Sequence, residues 1–202
     1  MSMFCFQCQE TARNQGCTVR GVCGKTEDVS RLQDVLIWVL KGISFYGVKG
    51  RELGVSEPET DLFVAKSLFT TITNVNFDPA HYVALIEQAV ERRDVLRQRF
   101  EAAYREAHGK PFAGLLPDAA TWVPEVYDVA PLVEKGQTVG IMADPDLDED
   151  VRSLRELLIY GLKGMAAYTD HAYILKHEDS ALLAFMQEAL LATLDPAESA
   201  DD

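Results

Sequence analysis

The sequence predicts an all-α protein: two similar helical bundles joined by a Pro-rich connector, with a Cys-rich loop at the N-terminus. Three observations carry that prediction. Apolar residues recur at three- and four-residue steps through most of the chain, the signature of helices with one buried face. One such stripe occurs twice, once in residues 28–46 and again in residues 150–168. All four cysteines fall within the first 23 residues, and Pro111, Pro117, Pro124 and Pro131 break up the middle of the chain.

The elements follow in order. Residues 1–27 form the Cys-rich loop, and residues 28–109 the first helical bundle. Thr26 is a suitable N-cap, and Glu27 and Asp28 place negative charge in the first turn, where the helix dipole favours it. Leu32, Val35, Leu36, Val39, Leu40 and Ile43 then make one apolar stripe, ending near Gly50 to Gly54. A second helix is expected over 57–73, with Leu62, Ala65, Leu68, Phe69 and Ile72 inward. A third begins at Asp78-Pro79, an Asp cap with Pro in the first helical position, and runs to His108, where Gly109 stops it. Residues 110–148 read as an ordered connector with one short helix; within it TVGIM, 138–142, is a lone strand or buried coil. Two helices, 149–177 and 180–194, make the second bundle, and 195–202 is an acidic tail.

The repeat aligns DVSRLQDVLIWVLKGISFY with DVRSLRELLIYGLKGMAAY. It pairs Leu36 with Leu158, Ile37 with Ile159, Leu40 with Leu162, Lys41 with Lys163, Gly42 with Gly164 and Tyr46 with Tyr168, and the caps Thr26 and Asp148 correspond as well. Glycine inside a helix costs about 1 kcal/mol relative to alanine, so close approach of another helix is expected at Gly42 and Gly164. Trp38 and Tyr160, also paired, are read as core packing. Glu91, Arg92, Arg93 and Asp94 read as a solvated helix face. His81, His108, His171 and His177 lack the spacing of a metal motif and read as solvated or capping residues.

The bulk numbers narrow the function. Lys and Arg number 19 against 32 Asp and Glu, a net charge of −13, which argues against nucleic acid and against a polybasic membrane anchor. No stretch approaches the roughly 20 apolar residues of a membrane span, and no signal peptide is recognisable, so a cytoplasmic setting with reduced thiols is expected.

The cysteines are spaced C-x2-C-x8-C-x5-C. Disulfides are disfavoured in a reducing compartment. Structural zinc usually takes two separated close pairs, whereas here one pair is followed by two singles. An iron–sulfur cluster takes four thiolates from a wrapping loop, and Gly16, Gly21 and Gly24 suit such a loop. Arg13, Arg20, Lys25 and the helix N-terminus near Thr26 could offset the cluster's negative charge.

CFQCQETARNQGCTVRGVCGK, followed by DVSRLQDVLIWVLKGI, resembles the N-terminus of the hybrid-cluster proteins, also called prismane proteins or hydroxylamine reductases. LFTTITN (68–74), AATW (119–122) and DVRSLRELLIYGLKGMAA (150–167) resemble further segments of that family, so the likeness extends over nearly the whole chain. The resemblance implies a first domain built as two three-helix bundles. It implies a near-surface cluster on Cys5, Cys8, Cys17 and Cys23, of the [4Fe–4S] type because the gap between the second and third cysteines is short. In the family that cluster passes electrons to a hybrid cluster where hydroxylamine becomes ammonia and water, and nitric oxide reduction has been proposed as well. The implied partners are a small redox donor protein and the remaining domains of the reductase.

The departure is in length. Family members carry further Cys, Glu and His ligands in later domains, and this chain has no fifth cysteine. It is therefore expected to be a fragment or a free-standing first domain, with no catalytic residues of its own and a role in electron entry. The competing expectation is a non-redox helical interaction module with structural zinc on the same four cysteines.

Overall fold

The computed structural model describes residues 3–73 and 75–195; Asn74 of the LFTTITN segment and the acidic tail beyond Asp195 lie outside the described residues. Seven α-helices carry the described chain, with no strand among those residues: α1 (Glu27–Arg51), α2 (Pro58–Thr70), α3 (Pro79–His108), α4 (Asp118–Thr121), α5 (Val129–Val139), α6 (Glu149–Ile174) and α7 (Ser180–Ala192). A 3-10 turn, Ala12–Asn14, lies in the N-terminal loop.

Local chemistry sets the helix ends. The Thr26 hydroxyl accepts from the Val29 amide at 3.4 Å, and the Asp78, Asp148 and Asp179 carboxylates accept from the first-turn amides of α3, α6 and α7. Gly109 ends α3 in the left-handed conformation, φ 68°, which costs glycine little.

Helix α1 is the axis of the molecule. It packs against α3, α4, α5 and α7, while α2 packs against α6 and α7. Helix α7 meets α1 more extensively than it meets α2 or α6, and so ties that pair to the rest of the molecule. The buried Gln187 accepts from Arg51 of α1 at 2.9 Å and donates to Asp61 of α2 at 2.7 Å, while Arg51 and Asp61 pair at 2.8 Å. Covered on all sides, α1 buries Leu32, Val35, Leu36, Val39, Leu40, Ile43 and Tyr46 completely. Each such side chain contributes roughly 1.5–3 kcal/mol through removal from water.

Several sequence expectations are corrected. The connector holds two helices rather than one. TVGIM is not a strand: Thr138 and Val139 close α5, and the residues after them turn. Pro131 fits because it sits in the first turn of α5, where its missing N–H has no helical partner to lose. Arg93 is not solvated but fully buried, donating to the main-chain oxygens of Ala119 at 3.1 Å and Trp122 at 2.6 Å, with Asp94 as its ion-pair partner at 2.8 Å. One residue of rotation along a helix turns a side chain by about 100°, so a charged run on α3 can send one member inward. Trp38 does pack, edge-on to Trp122 at 5.5 Å, but its counterpart Tyr160 is exposed.

Candidate metal centre

The N-terminal loop is folded back on itself and held against the start of α1. Cys5 and Cys17 form an antiparallel bridge, with the Cys5 amide donating to the Cys17 carbonyl at 3.1 Å and the reverse bond at 2.8 Å. Between them the chain reverses. The amide and hydroxyl of Thr11 both donate to the Cys8 carbonyl, at 3.0 and 2.6 Å, and Arg13 and Asn14 take left-handed conformations. A second turn brackets Cys23. The Gly21 amide donates to the Lys25 carbonyl at 2.8 Å, the Gly24 amide donates to the Gly21 carbonyl at 2.9 Å, and Gly24 has φ 97°. Only glycine takes that conformation without strain. A Cβ at Gly21 would lie 3.0 Å from the Cys23 sulfur, so the backbone runs close to the thiol.

All four cysteines are free thiols; Cys17 is buried and Cys5, Cys8 and Cys23 are partly covered. They share one loop, yet among the described residues no three Cys, His, Asp or Glu side chains converge at metal-ligand spacing. The donor set nonetheless fits an iron–sulfur group chemically: four soft sulfurs on one loop, with the Lys25 cation beside one of them. The histidines stay apart from it. His81, His108, His171 and His177 are all exposed, and His108 stacks on Tyr104 at 4.2 Å.

Of the three cations read as charge partners for the loop, Arg13 and Arg20 point to solvent. Lys25 is 1% exposed, and its Nζ lies 3.8 Å from the Cys5 sulfur and donates to Gln33 at 2.7 Å. Gln33 in turn donates to the Tyr82 hydroxyl at 2.8 Å, and that hydroxyl bonds to the Thr70 carbonyl at 2.6 Å. A continuous buried chain of polar groups therefore runs from the loop through α1 to α3 and the end of α2. Burial raises the Tyr82 hydroxyl above its ordinary pKa, against its hydrogen bonds to Gln33 and Thr70. Uncharged, it serves as a fixed donor and acceptor.

A second support comes from α6. The Gln7 amide, oriented to satisfy both neighbours, donates to the Thr71 carbonyl at 3.1 Å and accepts from Lys163 Nζ at 2.8 Å. Burial pushes the Lys163 ammonium down to about 8, with Lys25 adding to the effect and Glu156, Asp34 and Cys5 opposing it. Gln7, Gln33, Tyr82 and Lys163 were not legible as parts of the site. The available signal was a polar residue on an apolar stripe: Gln33 lies between Leu32 and Val35, and Lys163 recurs at the Lys41 position of the repeat.

Comparison with known proteins identifies relatives of the chain. A family model described as the Prismane/CO dehydrogenase family matches residues 3–200. The chain is 56% identical over 202 residues to a hydroxylamine reductase of Halothermothrix orenii, covering all of this chain and 36% of that protein. It is 51% identical over 196 residues to the hydroxylamine reductase of Thermosipho melanesiensis, and 52% over 191 residues to that of Nitratidesulfovibrio vulgaris, covering 34% of each. The chain thus spans about a third of the length of the curated relatives it matches. With a match running almost from end to end, the chain belongs to the Prismane/CO dehydrogenase family.

Proposed function

We infer that this chain is the electron-entry domain of a hydroxylamine reductase, and that Cys5, Cys8, Cys17 and Cys23 hold a [4Fe–4S] cluster. One observation carries the reading: all four thiols of the chain lie free on a single clamped loop, with a buried lysine against one of them, in a chain whose full length is similar to enzymes named hydroxylamine reductase. Such a cluster, when bound, supplies one-electron storage at a potential set by its hydrogen bonds, local charge and exposure.

The protein's own residues account for the rest. Lys25 brings a positive charge to the Cys5 sulfur, which would offset the negative charge of a bound cluster and the charge added on its reduction. Gln33 and Tyr82 hold that ammonium in place, since a lysine tail left free would lose about 2 kcal/mol of rotamer entropy on docking. The N-terminus of α1 adds a partial positive charge beside the loop. The position of the loop at the outside of the helical body, with Val19 and Val22 exposed between Cys17 and Cys23, suits electron exchange with a small redox donor protein. Reduction of hydroxylamine to ammonia and water, and any reduction of nitric oxide, requires residues beyond these four cysteines, which the longer relatives have room to supply. The reading places the chain in the cytoplasm, where thiols stay reduced; no described helix is long and apolar enough to cross a membrane.

Anaerobic iron and sulfide analysis with Mössbauer spectroscopy tests the proposal. The expected result is about four irons and four sulfides per chain, bleached by dithionite. A colourless protein holding one zinc would replace it with the structural-zinc reading, in which the cysteines only pin the loop.

A further inference from the structure

Against the loop, whose Phe4, Cys5 and Gln7 form part of its wall, lies a cavity of about 530 Å³ otherwise bounded by α1, α6 and the connector between α5 and α6. The repeat fills it with charge. Asp34 and Lys41 stand seven residues apart on α1, two turns along one face, and Glu156 and Lys163 occupy the same two positions on α6. All four line the cavity, joined by Arg152 and Arg155. No ion pair among the described residues links any two of these six. Asp34, Lys41 and Glu156 make no hydrogen bond there, and Lys163 has only Gln7.

These groups are deep in the molecule, yet Asp34, Lys41 and Glu156 retain partial exposure, because what they expose faces the cavity. The arginines are already anchored. Arg152 donates to the carbonyls of Asp144 and Leu147, both at 2.9 Å, and Arg155 donates to the Asp195 carbonyl, but the buried Nε of each has no acceptor. Charged groups withdrawn from bulk water without partners are costly, and proteins pair them or use them. Burial pushes Asp34 up to about 7 and Lys41 down, as expected where compensation is incomplete. A chain of net charge −13 has here gathered four cations against three carboxylates, Asp34, Glu156 and Asp144 of the connector, with room between them.

We propose that this cavity binds a small oxyanion that carries an acidic O–H at neutral pH, of the inorganic phosphate class. Lysine and arginine only donate, so they hold the anionic oxygens; a carboxylate only accepts once ionised, so Glu156, and Asp34 in the chains where it has lost its proton, require the ligand to donate in return. A fully deprotonated oxyanion such as sulfate would set its lone pairs against theirs. The connector wall is tight on the acid side, where a Cβ at Gly140 would lie 2.8 Å from Asp34 Oδ2 and 3.2 Å from Arg31 Nη1.

The test is calorimetric titration of the full chain, purified anaerobically, with inorganic phosphate and separately with sulfate at matched ionic strength. Phosphate is expected to saturate one site per chain, with sulfate at least about tenfold weaker, the discrimination of one charge-assisted hydrogen bond. Lys41→Gln should weaken phosphate about tenfold for the same reason, and Glu156→Gln should bring phosphate and sulfate together. Absence of saturation anywhere in the millimolar range, equal binding of the two anions by the unaltered chain, or unchanged phosphate affinity in Lys41→Gln would overturn the proposal and leave the cavity to water. Should a variant fail to fold, acylation footprinting of the unaltered chain decides: phosphate must protect Lys41 and leave the exposed Lys110 as reactive as before, and equal reactivity of Lys41 with and without phosphate counts against the site.

Discussion

Along α1, Leu36 and Tyr46 are sealed in the core, whereas their counterparts on α6, Leu158 and Tyr168, are 37% and 81% exposed. The two helices share caps, apolar stripe, lysine and glycine, and both form. They differ in what covers them. Helix α1 is enclosed by α3, α4, α5 and α7, whereas α6 meets chiefly α2 and, less extensively, α7. Gly42 shows the difference at one atom. A methyl there would be driven into the Ala119 carbonyl of α4, while one at Gly164 would meet nothing within 4 Å. The glycine that admits a neighbour on α1 therefore faces open space on α6, beside exposed Leu154, Leu157 and Tyr160. The same stripe supports a core only where other elements close over it, and the expectation of close approach at both glycines holds at Gly42 alone.

Paired substitutions at matched positions sharpen this comparison. The largest contrast is expected for Leu36→Ala against Leu158→Ala. The buried leucine should cost about 2–5 kcal/mol through lost transfer energy and a residual cavity, and its partly exposed counterpart about 1 kcal/mol or less. Leu40→Ala and Leu162→Ala, both buried, should cost alike, and chemical denaturation of all four measures it. Next is Gly42→Ala against Gly164→Ala. Overpacking against α4 should destabilise the first by about 1–3 kcal/mol, while the second should gain about 0.5–1 kcal/mol from helix propensity. Opposite shifts of the urea midpoint are the expected reading; shifts of one sign would break the comparison. Tyr46→Phe removes the bond to the Ala120 carbonyl at 3.1 Å and should cost about 1 kcal/mol, against about 0.5 kcal/mol or less for Tyr168→Phe.

The last contrast concerns pH. Burial raises Asp34 from 3.8 to about 7, so the folded chain holds a proton there that the unfolded chain releases at lower pH. Its contribution to stability is therefore greatest in acid and declines as pH rises from about 4 towards 7. Asp34→Asn should remove that decline, read as a flatter trend in urea midpoints through this window. Parallel trends for the two proteins would show that the cavity does not hold the carboxylate as described.

How much of this was legible varies by residue. The Asp78-Pro79 start of α3 and its Gly109 stop, like the Thr26 cap of α1, came directly from sequence, because a cap is satisfied by atoms within one turn of itself. The four cysteines stood out by clustering alone. Arg93 was misread because its acceptors, the carbonyls of Ala119 and Trp122, lie far along the chain, and charge by itself marks a residue as solvated. Lys25 was expected as a charge partner of the loop, but its tether through Gln33 to Tyr82 joins elements that no local pattern connects.

The sequence by itself determined the long helices and their caps, the repeat and the thiol-bearing loop, since hydrogen bonds between near neighbours and the 3.6-residue period specify those within a short window. Only the tertiary structure decided which copy of the repeat is enclosed, that α2 packs on α6 rather than on α3, and that Asp34, Lys41, Glu156 and Lys163 line one cavity. Those outcomes depend on contacts between residues distant along the chain, and burial, charge desolvation and close packing are properties of such contacts rather than of any segment alone.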